Sequence, residues 1–189
     1  SYSLKPSQLL SYVQSDASNP IIINALLDPS NATVVTAASS LLGGELVLNA
    51  MEYLTLVDVN GTVVVSPDAS VRDPTLSPNA DRRGESFDPY GIVQATLTTR
   101  KRQVWTRRLP YQEYLNEAPP VFSQRLAAPA SAWNLNATQT DGAIRFITAP
   151  VDFDSDGAPE GVLIAGDLLN GKTIIQEYSQ RSAADKGFE

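Results

Sequence analysis

The hydrophobic positions of this chain follow a helical spacing up to residue 48 and alternate as in β-strands after it. Near the N-terminus, aliphatic residues recur three to four positions apart, with interruptions around Asp16 and Pro29. This spacing predicts three short helices, the last of them stopped by Gly43 and Gly44. The apolar stripes consist of Leu9, Leu10, Val13, Ile21, Ile22, Ile23, Leu26, Leu27, Val34, Val35, Ala38, Leu41 and Leu42.

A β-hairpin is predicted at residues 53–66, where two β-branched runs flank Asn60 and Gly61. An Asn-Gly pair supplies the positive φ angles that a tight turn requires. Residues 67–87 are polar and contain three prolines, which predicts a long loop. Loops of this length in a compact domain are commonly functional.

The rest of the chain combines an inserted helix with three more strands. The helix begins at Asp88-Pro89, and a final helix opens at Lys172. Residues 117–140 are rich in Pro, Ala, Ser and Asn and have no assignable pattern. The order of helices, strands with one inserted helix, and a last helix predicts an α+β domain around an antiparallel sheet. The three strands are predicted at 103–109, 143–151 and 161–169.

The composition excludes several classes of function. The 189 residues carry a formal net charge of −7, which argues against a nucleic-acid partner because phosphate binding needs a basic face. The sequence contains neither His nor Cys, which excludes Ser-His-Asp and Cys-His catalysis, disulfides, and zinc sites built on these residues. No run of about 18 apolar residues is present, so no membrane-spanning segment is predicted.

Two segments resemble the Cache modules, the PAS-like sensory domains of bacterial chemoreceptors and sensor histidine kinases. Residues 58–61 form an Asp-x-Asn-Gly turn between hydrophobic runs, as in the hairpins of such modules. Residues 161–170 read Gly-Val-Leu-Ile-Ala-Gly-Asp-Leu-Leu-Asn, which resembles their final strand and the cap of the helix after it. The resemblance covers residues 50–66 and 86–178, and the insert at 117–140 departs from the family pattern.

The resemblance implies a PAS-like central antiparallel β-sheet with a long N-terminal helical segment (residues 1–48) and a C-terminal helix. The sensory module would occupy residues 49–180 of a single domain, followed by a tail at 181–189. It also implies an extracytoplasmic (periplasmic or extracellular) domain of a bacterial membrane receptor, whose spanning helices lie outside this sequence. Such a domain is not an enzyme: it binds a small molecule and displaces its terminal helices, with kinase, cyclase or chemotaxis output. Dimerisation through the N-terminal helix is a further hypothesis.

Ligand-binding residues are predicted from the residue types that small-molecule sites use, which are aromatic walls with a few fixed polar groups. Arg145 and Asp167 are charges inside apolar strands, so they bind a ligand, face solvent or pair with each other. An arginine offered to a carboxylate and an aspartate offered to an amine would suit an amino acid; a small carboxylate is the other candidate ligand. The amino-acid-binding motif of double Cache receptors is not matched residue by residue. The six candidates are Trp105, Arg107, Tyr111, Tyr114, Arg145 and Asp167.

A calcium loop is predicted at residues 152–157, where Asp-Phe-Asp-Ser-Asp-Gly has the D-x-D-x-D-G spacing. Leu163 stands where such a loop has its bidentate acid, so a carboxylate from elsewhere would be required. The alternative is a solvated acidic hairpin tip, since Asp, Ser and Gly are turn formers. The candidate ligands are Asp152, Asp154, Asp156 and Glu160.

The acidic loop supports an alternative function, a calcium-stabilised adhesion or carbohydrate-binding module, to which Trp105 and Trp133 would contribute. Glycoside hydrolysis is not expected, because carboxylates alternating along one loop do not face each other across a sugar. A long helix beside a five- or six-stranded sheet would favour the sensor. A β-rich structure without that helix would favour the module.

Overall fold

The structure of the protein is a computed structural model in which three helices precede a five-stranded sheet. It describes residues 6–49, 51, 53–67, 82–109, 142–154 and 157–169. In chain order the elements are α1 (Pro6–Ala17), α2 (Pro20–Leu27), α3 (Ala32–Leu48), β1 (Tyr53–Asp58), β2 (Val63–Val65), a 3-10 turn (Pro89–Gly91), α4 (Ile92–Thr99), β3 (Gln103–Leu109), β4 (Gly142–Val151) and β5 (Gly161–Leu168). The predicted C-terminal helix and the tail at 181–189 lie outside the described residues.

Asparagines cap the second and third helices. The side chain of Asn19 accepts a hydrogen bond from the Ile21 N–H at 2.9 Å, and Pro20 takes the first helical position, where a missing N–H is harmless. Asn31 does the same for α3, accepting from the Thr33 N–H at 3.2 Å. These caps start new helices at the points where the apolar stripes are interrupted.

The third helix is longer than its sequence predicts. It continues to Leu48, so the prediction that Gly43 and Gly44 end it is wrong. A glycine inside a helix costs about 1 kcal/mol relative to alanine. The apolar stripe runs on past both glycines, and its burial outweighs that cost. The buried residues of α3 are Val35, Ala38, Leu42, Gly43 and Leu46.

The sheet is antiparallel throughout, with the strand order β2-β1-β5-β4-β3. β5 is the central strand, and it pairs with β1 on one side and with β4 on the other. The three strands predicted after the hairpin are present as β3, β4 and β5, each within one residue of its predicted bounds. The predicted α+β fold, N-terminal helices with a central antiparallel sheet, is confirmed.

The hairpin between β1 and β2 turns at Gly61, whose φ is 77°. Asp58 organises the turn, because its Oδ1 accepts from the N–H groups of Asn60 and Thr62, each at 2.8 Å. The Gly61 N–H closes the turn by donating to the Asp58 carbonyl at 3.0 Å. Asn60 does not take a positive φ, so the glycine alone supplies the left-handed residue that the Asn-Gly pair predicts.

The two faces of the sheet carry different layers. We call the face that carries Phe146 and Thr148 the front and the opposite face the back. α4 lies on the front, where the hydroxyls of Thr96 and Thr148 form a buried hydrogen bond of 2.6 Å. The N-terminal helices lie on the back: α1 packs against β4 and β5, and Leu26 of α2 lies against Gly161. Between these layers nearly all of β1 is buried.

A close contact at the front fixes the packing of β1 on β5. The ring of Tyr53 lies directly over Gly166, its partner in the β1–β5 register. A Cβ at residue 166 would lie 2.9 Å from Tyr53 Cγ and closer still to Cδ2. The absence of a side chain at Gly166 is therefore what allows Tyr53 to lie flat on the sheet.

We expect Gly166→Ala to lower the free energy of unfolding by about 2 kcal/mol, because the Tyr53 ring would have to move within a packed core. Chemical denaturation of the variant and the unchanged protein measures the difference. Gly44→Ala is the matched control, since nothing lies within 4 Å of a Cβ there, and we expect it to be neutral or stabilising by about 0.5 kcal/mol. Equal stabilities of the two variants would contradict the proposed contact.

Candidate functional site

An aromatic row crosses the front of the sheet at one height. Trp105 on β3 is opposite Phe146 on β4, Phe146 is opposite Gly166 on β5, and Gly166 is opposite Tyr53 on β1. The ring centroids of Tyr53 and Phe146 lie 6.0 Å apart, and those of Tyr53 and Phe87 lie 6.5 Å apart. We call Phe87, Tyr53, Phe146 and Trp105 the aromatic wall. It spans the sheet because the register brings one residue from each of four strands into line.

A guanidinium lies at each end of the aromatic wall. The Cζ atom of Arg107 is 5.0 Å from the ring centroid of Trp105, and the Cζ of Arg82 is 5.1 Å from that of Phe87. Both distances allow a cation–π interaction. Arg82 also forms an ion pair of 2.8 Å with Glu85, whereas Arg107 lies on the same face of β3 as Trp105. Apart from Trp105, the rings of the wall are at most 5% exposed, so the wall is a largely buried apolar row with a guanidinium at each end.

The aromatic wall also carries a hydrogen-bond donor. The indole Nε1 of Trp105 is buried and has no hydrogen-bond partner among the described residues. Buried indole N–H groups normally find an acceptor, since an unmade hydrogen bond costs free energy. Flat rings, two guanidiniums and one indole N–H are the groups that small-molecule sites combine to bind an apolar body with an anionic or accepting group.

The segment before α4 is strained and is tied to the edge strand β3. Tyr90 has a φ of 60°, which a residue with a side chain rarely adopts, and Gly91 follows with a φ of 71°. Asp88 holds the segment by accepting from the Val93 N–H at 2.7 Å. The Tyr90 hydroxyl donates to the backbone carbonyl of Arg108 on β3. Such backbone strain costs about 1–3 kcal/mol and is found most often near functional sites.

The six predicted ligand-binding residues do not come together in one place. Trp105 and Arg107 belong to the front of the sheet. Arg145 and Asp167 belong to the back, because their positions alternate with those of the aromatic wall. They are opposite each other in the β4–β5 register, and Arg145 Nη2 donates to Asp167 Oδ2. The remaining candidates lie outside the described residues: Tyr111 and Tyr114.

The Arg145–Asp167 ion pair has the features of a structural contact. Asp167 is only 3% exposed, and burial lowers the pKa of Arg145 from its usual range. A charge in this position is tolerated only with a partner, since desolvation is costly. Mutual pairing is one of the alternatives that the sequence leaves open, and it separates these two residues from the aromatic wall.

Several residues at the front were not predicted as site residues. Tyr53 and Phe146 are aromatic residues in predicted strands, and this residue type is a sequence signal of a ligand site. That the two rings lie in one row follows only from the strand order. Arg82 and Phe87 fall in the segment that the sequence predicts as a polar loop. Arg82 approaches the aromatic wall because hydrogen bonds hold the end of that segment against the hairpin, including one from the Arg82 N–H to Ser66 Oγ at 3.1 Å.

The acidic loop between β4 and β5 brings its described carboxylates together. One oxygen from each of Asp152, Asp154 and Glu160 lies within 4.8 Å of the others. The loop is closed by its own hydrogen bonds: Gly157 N–H donates to Asp152 Oδ2, and Phe153 N–H donates to Glu160 Oε2, each at 3.1 Å. The fourth predicted ligand, Asp156, lies outside the described residues. Calcium binding at this loop stays a prediction.

Comparisons with known proteins show a likeness in structure but none in sequence family. No protein-family model matches this chain, and neither does any curated protein. Among solved structures, the chain is similar to the sensor domain of the V. cholerae histidine kinase DctB. The TM-score is 0.53 at 12% sequence identity, and the match covers 85% of this chain. The chain spans about half (49%) of the length of that sensor domain.

This likeness confirms the predicted fold. The fold is similar to that of this sensor domain: N-terminal helices back a five-stranded antiparallel sheet. In the part of the chain that the structure describes, no helix has both the length and the apolar character needed to cross a membrane. The likeness concerns the fold, and the predicted site residues are not tested by it.

We expect Arg145→Met to destabilise the domain by about 3 kcal/mol, because it leaves a buried carboxylate without its guanidinium. Adding Asp167→Leu should recover most of the loss, since two apolar side chains replace the pair. The control is Arg102→Met, an exposed arginine just before the neighbouring strand, with an expected change below about 0.5 kcal/mol. Urea denaturation measures all three, and a double variant no more stable than the single one would contradict a structural pair.

If the acidic loop binds calcium as its spacing predicts, calcium at about ten times its dissociation constant should raise the melting temperature by about 3 °C. A chelator should reverse the shift, and Asp154→Asn should abolish it. Asp28→Asn removes an exposed carboxylate outside the loop and should leave the shift unchanged. No shift in the unchanged protein would identify the loop as a hairpin tip closed by its own hydrogen bonds.

Proposed function

We propose that this domain is the extracytoplasmic sensor module of a bacterial membrane receptor of the histidine-kinase or chemoreceptor type. It would bind a small molecule against the front of its sheet. The observation that carries the proposal is the aromatic wall, with Arg107 and Arg82 at its ends, on a fold similar to the sensor domain of a histidine kinase. The buried indole N–H of Trp105, which has no partner among the described residues, supports the proposal, because buried donors in a purely structural sheet face are normally hydrogen-bonded.

The chemistry of the aromatic wall favours a ligand with a carboxylate. Arginine binds carboxylates through paired N–H donors and keeps its charge at every physiological pH. The Trp105 N–H adds a neutral donor, and the partly exposed Trp105 ring provides apolar contact for the body of the ligand, since the other three rings are buried. A small carboxylate or an amino acid matches these groups. An amino-acid ligand would also need a protein carboxylate beside the wall to bind its ammonium group. Asp167 cannot provide it, because Asp167 lies on the back of the sheet.

Ligand binding on the front would be transmitted to the N-terminal helices on the back, because both layers pack on β4 and β5. β4 and β5 present Phe146 and Gly166 to the front and support α1 on the back. A ligand that fits one arrangement of these strands better than another shifts the population towards it, and α1 moves with the strands. Moving a receptor from about 1% to about 99% active requires roughly 5.5 kcal/mol of differential binding. β5 ends at Leu168, so the segment after it would move as well.

Homodimerisation through α1 is part of this proposal. Tyr12 on α1 is 44% exposed and Ile21 on α2 is 40% exposed, so apolar side chains remain outside the core of the helix layer. A partner copy would cover them. The alternative adhesion or carbohydrate-binding module rests on the acidic loop, whereas the three helices packed against the sheet favour the sensor.

We expect at least one small carboxylate or amino acid to raise the melting temperature of the domain, because a ligand that binds only the native state stabilises it. Trp105→Phe keeps the ring and removes the N–H donor, and Arg107→Met removes the guanidinium. Each should weaken that binding about tenfold or more, the loss of one hydrogen bond to a charged group. Calorimetric titration measures the affinities.

Arg108→Met is the matched control for Arg107→Met. It removes an exposed guanidinium from the adjacent position of β3, on the back of the sheet. Its ligand affinity should equal that of the unchanged protein. A ligand that binds both front-face variants with full affinity would place the site away from the aromatic wall.

A further inference from the structure

A carboxyl group at the end of α1 lies in surroundings that disfavour its charge. Asp16 is in the last turn of α1, where the partial negative charge of the helix C-terminus repels an anion. No basic residue occupies that turn. One carboxyl oxygen, Oδ2, is buried and has no hydrogen-bond partner among the described residues. At this oxygen an ionised carboxylate is neither in contact with solvent nor hydrogen-bonded to the described residues.

A second carboxylate adds to this effect from α3. Glu45 is also in the last turn of its helix, and that turn contains no basic residue. Its Oε2 accepts from Asn49 Nδ2 at 3.0 Å. Burial first, and then the charge of Glu45, raise the pKa of Asp16 to about 6.

The other elements that pack on α1 supply no compensating cation. Arg145 on β4 and Asp167 on β5 are paired with each other, and α2 contains no charged residue. Asp28, which follows α2, is acidic, and the remaining titratable group of α1, Tyr12, is exposed. Within the described part of the chain, the charge of Asp16 is thus met only by a negative neighbour.

We propose that Asp16 is a proton-operated switch at the C-terminal end of α1. With a proton on Asp16, the buried carboxyl carries no charge and α1 is held on the back of β4 and β5. Loss of the proton leaves a negative charge on a carboxyl whose buried oxygen has no hydrogen-bond partner among the described residues, and this loosens α1. Because the native state holds this proton more tightly than the unfolded chain, the stabilisation is complete below about pH 3.8 and is lost as the pH rises through about 6.

The test compares thermal unfolding of the domain and of Asp16→Asn between about pH 5 and about pH 7.5, with no ligand added. Asparagine copies the shape of the protonated carboxyl. We expect the melting temperature of the unchanged protein to fall by about 3 to 6 °C across this range. The variant should exceed it by a similar amount at the upper pH and lose most of the pH dependence. Asp28→Asn, which removes an exposed carboxylate, should follow the unchanged protein.

Two further measurements keep the outcome unambiguous. Glu45→Gln should lower the midpoint of the pH dependence without removing it, since burial of Asp16 remains. A nuclear magnetic resonance titration of the Asp16 carboxyl carbon in the unchanged protein should give a midpoint near pH 6. A midpoint near its unfolded value of about 4, or an Asp16→Asn variant with the same pH dependence as the unchanged protein, would overturn the proposal. Neither result depends on the identity of the ligand.

Discussion

The pairing of β4 with β5 is the constraint on which the rest of the structure depends. Its register places Phe146 opposite Gly166 and Arg145 opposite Asp167. A slip of β4 by one residue would turn Phe146 to the helix layer and Arg145 to the front, because neighbouring residues of a strand point to opposite faces. The buried ion pair penalises such a slip, since neither charge would then meet its partner. The β4–β5 register therefore fixes both the aromatic wall on the front and the ion pair on the back.

The front of the sheet depends on small and large residues being matched across strands. The missing side chain of Gly166 leaves space for the ring of Tyr53, which then lies within reach of Phe87 and Phe146. The arginines add charge only at the two ends of the row. The proposed ligand site is assembled from four strands and a loop, so no single segment contains it. The strained segment at Tyr90 joins α4 to the edge of the same surface.

The back of the sheet is held by apolar stripes, and its charges are few. Arg145 and Asp167 neutralise each other, whereas Asp16 and Glu45 have the same sign at two helix ends. Hydrophobic burial holds the helix layer in place, and the unbalanced carboxylates make part of its stability depend on pH. Because α1 packs on the two strands that carry Phe146 and Gly166, the helix layer and the aromatic wall are mechanically linked.

The sequence by itself determined the elements and the class of fold. Short hydrophobic runs located β3, β4 and β5 within one residue, and Asn-Gly located the turn, because these signals are local. It failed at Gly43 and Gly44, where long-range burial overrides local helix propensity. Only the tertiary structure decided which candidates share a face: Trp105 and Arg107 on the front, Arg145 and Asp167 paired on the back. Strand order and register make that decision, and neither is written in the spacing of residues along one strand.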